Sequence, residues 1–197
     1  IDALKNKSLE YLLNISSDAV YQDSQNPISE NTNIYPQGFH GIMHCMREHL
    51  LEKNIPSPLG HLRPTLIYGE GDPHNGYGPN SFLRKCLNNE NIQLFGNGEE
   101  QRDHIHIDDV SKIAIGMINN IVNSPVNAVS GNVISFKEIA LLMKKHINNN
   151  IDVINNPRTS PMPHNGYRAF DKSKLKDLFP EINLKSLDKY ILNSASK

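Results

Sequence analysis

The sequence predicts an α/β fold built on a parallel sheet, and three observations carry that expectation. Leu9 to Ile15 is a short apolar run that stops at Ser16-Ser17-Asp18, as a buried strand does where it meets a loop. Phe39, Ile42, Met43, Met46 and Leu50 then recur at helical spacing until Asn54, Pro56 and Pro58 break the pattern. His61 to Tyr68 reads as a second buried strand. Strand, crossover helix, strand is the order that a right-handed parallel unit requires.

The remaining elements follow from local signals. Residues 22 to 37 hold Pro27, Pro36 and many polar groups and read as a loop, with Gly38 opening the helix. On that helix His40, His44, Arg47 and Glu48 occupy a face of their own. Gly69 to Pro79 is too rich in Gly and Pro for a regular element and reads as a loop over a ligand. Ser81 to Asn88 reads as a helix, Ile92 to Phe95 and Ile105 to Ile107 as strands, and Asp108 as the cap of a helix ending near Val122. Ser135 and Glu138 match a capping box for a helix running to about Ile147. A strand at Ile151 to Ile154, a Pro-rich loop to Gly166, and helices near Lys172 to Leu178 and Leu187 to Leu192 complete the chain. There are no internal repeats or heptads.

Composition narrows the function classes. The 197 residues carry 20 Lys+Arg against 21 Asp+Glu, a formal net charge of -1. That balance gives no electrostatic footprint for nucleic acid or an anionic membrane. No apolar stretch approaches the roughly 20 residues of a membrane span, and no signal-peptide pattern opens the chain. The expectation is a soluble, cytoplasmic protein. Cys45 and Cys86 lack metal-site spacing and read as buried or idle thiols. The chain opens on Ile1 in mid-pattern, as a part of a longer protein would, and its Asn runs lie between apolar segments, where Asn suits turns and helix ends.

Three ordered segments carry a resemblance. Ile15-Ser16-Ser17-Asp18-Ala19-Val20-Tyr21, Arg63-Pro64-Thr65-Leu66-Ile67-Tyr68-Gly69 and Arg102-Asp103-His104-Ile105-His106-Ile107-Asp108-Asp109-Val110, with Arg168-Ala169-Phe170-Asp171 near the end, resemble the extended short-chain dehydrogenase/reductase family. These are NAD-dependent nucleotide-sugar epimerases and dehydratases. The resemblance implies the C-terminal part of a Rossmann-type parallel sheet over residues 1–69 and a small mixed α/β substrate-binding region over 70–197. It begins at the family's fifth strand, and the glycine-rich dinucleotide turn is absent from this sequence. NAD, or NADP, is the implied cofactor.

In the family a Ser or Thr, a Tyr and a Lys four residues later do the chemistry. Ser17 matches the hydroxyl position, and its local alternative is to satisfy backbone at a strand end. Aligning Gly41 with the usual glycine places His40 at the Tyr position and His44 at the Lys position. A tyrosine needs a nearby cation to act as a base near neutral pH, whereas an imidazole does not. His40 then takes the proton and His44 lies near the ribose. A second registration uses Tyr35 with Phe39, although Pro36 places Tyr35 before the helix. Two histidines at i and i+4 also suit zinc, but no third ligand is indicated. The plainest alternative is that both are polar residues on a partly exposed helix of a protein that has lost or altered its catalysis.

The resemblance further implies Ser16, His44 and Pro64 on the cofactor side. It assigns Arg102 to the diphosphate of a nucleotide sugar, a role suited to a planar bidentate donor, and puts Arg168 and Asp171 at the base or ribose end. The alternative for Arg168 is an ion pair with Asp171. Asp103 and Asp109 read as turn and cap residues. Leu66 stands where an Asn is often found. His74, Asn75 and Asn80 are candidate sugar contacts. Asp18 matches the acid of family 4,6-dehydratases, but the Glu expected next is Ala19, which favours epimerisation over elimination. Family members usually dimerise through the helix spanning residues 38–54, which would bury Met43, Met46 and Leu50 against a partner; packing against the chain's own sheet is the alternative. Two classes of function follow: an NAD-dependent nucleotide-sugar epimerase, or a non-catalytic nucleotide-sugar-binding or assembly module.

Overall fold

The computed structural model describes residues 1–23, 27–72 and 76–195. The chain runs through β1 (Leu12–Ile15), α1 (Phe39–Asn54), β2 (Leu59–Pro64), β3 (Leu66–Tyr68), α2 (Pro79–Leu87), β4 (Ile92–Phe95) and β5 (Gln101–His106). It continues through α3 (Ile107–Asn119), β6 (Pro125–Ala128), β7 (Val133–Ser135), α4 (Phe136–His146), β8 (Val153–Asn156), β9 (Tyr167–Arg168), α5 (Ser173–Leu178) and α6 (Leu187–Ser194). The strand expected from Leu9 begins only at Leu12.

The first sheet is parallel in the order β1-β2-β6, with Leu12 opposite Leu59 and His61 opposite Pro125. All six residues of β2 are buried, as befits a central strand covered on both faces. The β6 strand of this sheet comes from beyond residue 69. The single strand expected over His61 to Tyr68 is two strands in two sheets. Pro64 has no N–H with which to extend the ladder. At Thr65 the chain changes partner: its amide donates to Ala128 and its hydroxyl to the Asp103 carbonyl. β3 then pairs with β5, which also carries β7 antiparallel and β9 parallel. β4 and β8 form a separate parallel pair.

Two main cores hold these layers. Val110, Ile113 and Met117 of α3 pack with Leu62 and Val126 beside the first sheet. Phe82 of α2 and Ile139 and Met143 of α4 pack with Ile92 and Leu94. Ser135 and Glu138 form the expected capping box, each accepting from the other's amide, at 3.1 and 2.8 Å. The cap of α3 differs from expectation. His106 takes that place, its Nδ1 accepting from the Asp108 amide at 3.1 Å, and Asp108 lies in the first turn, where a carboxylate still favours the helix dipole.

Of the two expectations for the apolar stripe of α1, packing against the chain's own sheet is not what the structure shows. Phe39, Ile42, Met43, Met46 and Leu50 are exposed, Phe39 at 91%, while Gly41, His44 and Glu48 face inward. Glu48 meets Arg63 of β2 through two hydrogen bonds, 2.9 Å from Nε and 2.5 Å from Nη2. Arg63 Nη1 donates to the Tyr21 hydroxyl at 2.8 Å, and Tyr21 donates to Asn127 of β6 at 2.7 Å. The Arg63 and Glu48 side chains are 2% and 4% exposed. Burial alone would push Glu48 up, but the Arg63 donors and charge hold it below the usual carboxylate range. Burial pushes Tyr21 up to about 12, so it is a protonated donor at neutral pH. A similar inward contact lies one turn on, where His61 accepts from Asn14 at Nδ1 and meets Glu52 at Nε2.

Glu48→Ala leaves a buried guanidinium without its anion and should lower stability by about 3–5 kcal/mol in urea unfolding, with Glu48→Leu/Arg63→Leu losing less than either single change. Because the folded pKa of Glu48 is lowered, its contribution is fully present above the unfolded carboxylate pKa and fades as pH falls through the folded one. Acid unfolding of Glu48→Gln should therefore depend less steeply on pH in that window. A Cβ at Gly41 would stand 2.1 Å from the Ala19 carbonyl oxygen, so Gly41→Ala should force α1 off the Ser17–Tyr21 turn and destabilise by about 1–3 kcal/mol in the same assay.

Candidate active site

β1 ends at Ile15, and the chain turns at once into a short 3-10 turn, Asp18–Val20. Ser17 caps that turn, its hydroxyl accepting from the Ala19 amide at 3.2 Å. Glycine at position 41 lets α1 press against this turn, so its inward face meets the strand end. Between them opens a cavity of about 730 Å³ at the carboxyl end of the parallel strands, the usual ligand side of such a sheet. Ser16, Ser17, Asp18, His40, His44, Pro64, Asn80 and Arg102 all line it. The structure thus gathers eight sequence-nominated residues from five separate segments around one space.

His40 and His44 share the cavity edge, with ring centroids 4.6 Å apart at 69°. His44 Nδ1 lies 2.8 Å from Arg47 Nη2, and that same nitrogen donates to the Ile15 carbonyl. Burial, then the charges of Arg47 and His40, lower the pKa of His44 and keep it neutral. Tyr35, by contrast, is 65% exposed and outside the cavity wall, as is Phe39, so the His40/His44 registration is the one that faces the space. Among the described residues no group of three or more His, Cys, Asp or Glu could hold a metal ion.

Arg102 points into the cavity from β5 and is poorly paired there. Its closest carboxylate, on Glu100, is 3.4 Å away, and its buried Nη1 has no hydrogen-bond partner. Burial, with the like charge of Arg168, lowers its pKa although Asp18, Glu100 and Asp23 oppose the shift. Arg168 is the opposite case. It is 1% exposed, its Nε donating to Asp18 at 2.8 Å and its Nη1 to Asp23 at 2.9 Å, and it lies behind the cavity wall. Its ion-pair partners are Asp18 and Asp23; the alternative partner, Asp171, is exposed, bonds Ser173 and is also away from the cavity.

Asn80 accepts from the Gly69 amide at 3.0 Å and donates to Asp72 at 2.9 Å, which fixes the base of the glycine-rich loop. His74 and Asn75 lie outside the described residues. Asp103 is a fully buried clasp accepting from the amides of Ser130 and Gly131, and Asp109 accepts from the Lys185 amide. Cys86 is buried and its thiol is pushed up to about 11, consistent with an idle thiol.

Among the lining residues that the sequence reading did not nominate, His164 is the one that brings a titratable ring from the far end of the chain. His164 reaches the cavity from a loop in which it, Asn165 and Gly166 all take positive φ, at 52°, 52° and 80°. Its Nδ1 contacts Asp23, with Arg168 Nη1 3.1 Å away. The Asn165-Gly166 pair was the available signal, since it marks a left-handed turn that can present the preceding side chain. A second cavity, about 760 Å³, lies under residues 179–188 with His104 in its wall, and it contains none of the strand-end groups.

Comparisons with known proteins bear on the family and the fold. The family described as "NAD dependent epimerase/dehydratase family" matches residues 1–130. A Methanocaldococcus jannaschii protein provisionally named as a UDP-glucose 4-epimerase is 29% identical over 184 residues, covering 90% of this chain and 60% of that protein. The dTDP-4-dehydro-6-deoxyglucose reductase of Escherichia coli is 34% identical over 101 residues, covering 48% of this chain and 32% of the reductase. In structure, UDP-glucuronic acid 4-epimerase from Bacillus cereus, in complex with UDP-glucuronic acid and NAD, superposes with a TM-score of 0.86 at 22% identity, over 99% of this chain and 63% of the epimerase. The chain thus spans less than two thirds of the length of these relatives. Rossmann-type parallel strands, a cavity at their carboxyl ends and a family match across residues 1–130 lead to one statement: the chain belongs to the NAD-dependent epimerase/dehydratase family.

Proposed function

We propose that this chain supplies the proton-transfer and substrate-binding groups of an NAD-dependent nucleotide-sugar epimerase. The observation that carries the reading is Arg102, a desolvated cation that lines the same cavity as Ser17 and His40 and whose Nη1 makes no hydrogen bond, only a 3.4 Å ion pair with Glu100. A nucleotide-sugar diphosphate would give that guanidinium the close hydrogen-bonded anion that Glu100 does not. The strand-end serines, Pro64 and His44 suit the nicotinamide riboside end of NAD. The glycine-rich turn for its pyrophosphate is not in this sequence. Bound NAD would accept the sugar hydride and return it to the opposite face, leaving no net redox change.

The residues present divide the remaining work. The His40 imidazole accepts the proton of the sugar hydroxyl and returns it when the carbonyl is reduced. The Ser17 hydroxyl bonds the same sugar oxygen. Asp18 is committed to Arg168 and Ala19 carries no acid, so the acid and base that elimination needs are not paired here, which supports epimerisation over dehydration. Arg168 holds the 18–20 turn in place, and Asn80 orders the loop that meets the sugar. The exposed Phe39, Ile42, Met43, Met46 and Leu50 stripe suits a homodimer packed helix on helix. Among the described residues no helix is long and apolar enough to cross a membrane.

A second reading, a nucleotide-sugar-binding module without turnover, draws on the neutral His44, which offers no cation where the family has Lys. One assay separates the two. NAD content and 4-epimerisation of UDP- and dTDP-hexoses are measured on the protein and on His40→Ala. The enzyme reading expects turnover to fall at least tenfold in the variant with sugar-nucleotide affinity held. Binding without turnover in the unaltered protein selects the module instead. Met46→Glu should convert a dimer to monomer in light scattering; an unchanged mass would exclude this face as the interface.

A further inference from the structure

His44 stands at the edge of the cavity with its ring held from behind. Arg47 Nη2 has two hydrogens, and the structure uses both: one on the Ile15 carbonyl, where β1 ends, and one on His44 Nδ1, 2.8 Å away. A guanidinium donates and never accepts. His44 Nδ1 is therefore the acceptor of this pair, and the neutral ring carries its single proton on Nε2. A second proton at Nδ1 would set N–H against N–H beside a permanent cation.

The other charged and titratable groups facing the ring are His40 and Glu48 on the same helix and Asp18 on the neighbouring turn. Burial, Arg47 and His40 disfavour a charged ring, while Glu48 and Asp18 oppose them. Glu48 is already bound to Arg63 and Asp18 to Arg168, so neither carboxylate is free to recruit an imidazolium. The net lowering keeps His44 neutral.

From this geometry we infer that Arg47 is a positioning residue that locks His44 as a neutral Nε2–H donor at the cofactor side of the cavity. The cation expected at the tip of the residue at position 44 sits one turn further along the helix instead, behind the imidazole and pinned to the end of β1. His44 can then donate one oriented hydrogen bond to a ribose hydroxyl, and it does not compete with His40 for the substrate proton. The partner of that donor rests on the proposed function; the lock itself does not.

Long-range proton–nitrogen NMR of the labelled histidines tests the lock without cofactor or substrate, with His44→Asn used to assign the signals. The expected spectrum has an unprotonated Nδ1 and a protonated Nε2 on His44 at neutral pH and above. In Arg47→Met both tautomers should appear and the ring should gain its second proton at a higher pH than in the unaltered protein, while Arg47→Lys, which keeps a cationic donor, should restore much of the wild-type pattern. A wild-type His44 protonated at Nδ1, or an Arg47→Met spectrum identical to wild type, overturns the inference. Absence of NAD or of turnover would instead overturn the proposed function and leave this result standing.

Discussion

The buried pair between Glu48 and Arg63 sets the orientation on which the site depends. Removing both charges from water is expensive, and the arrangement offsets that by satisfying them: two hydrogen bonds between them, a third from Arg63 to Tyr21, and Tyr21 passed on to Asn127. The four residues come from α1, β2, the segment after β1, and β6. Their mutual satisfaction fixes which side of α1 meets the sheet. His40 and His44 reach the cavity because Glu48, one turn beyond His44, is anchored beneath them.

The same constraint explains the outer surface. With the polar side of α1 committed to Arg63, its methionines, isoleucine and Phe39 are left outside. An exposed apolar stripe of this kind marks an interaction surface more often than a packing error. The inward placement of His40 and His44 and the exposed apolar stripe are therefore two consequences of one buried ion pair. Arg102 and Arg168 show a related division among cations. Arg168 is fully paired and acts as a tie between the C-terminal segment and the 18–20 turn, whereas Arg102 lines the cavity with only a loose 3.4 Å ion pair to Glu100.

Much of the scaffold was legible in the sequence because its signals are local. The span of α1 followed from its periodicity and flanking prolines, and Ser135 with Glu138 announced the start of α4. Pro64 even marked where a strand must change partners, although reading it as a break required knowing that β5 lay alongside. The inward face of α1 was only half legible. The sequence turned Met43, Met46 and Leu50 either toward a partner or onto the chain's own sheet, and only Arg63, distant in sequence, decides against the sheet. The partners of Arg168 lie near residue 20, so no local pattern could reveal them, and the same holds for the contact of His164 with Asp23. The capping box of α4 was readable, whereas the cap of α3 fell two residues from its expected place and residues satisfied across the fold could not be read at all.

The most direct test of the account is a crystal structure of the protein with a UDP-hexose and NAD. The account places the diphosphate on Arg102, the sugar hydroxyl between Ser17 and His40, and a ribose hydroxyl on His44 Nε2. A sugar nucleotide seated instead in the cavity beside His104, or bound with its diphosphate away from Arg102, would contradict it.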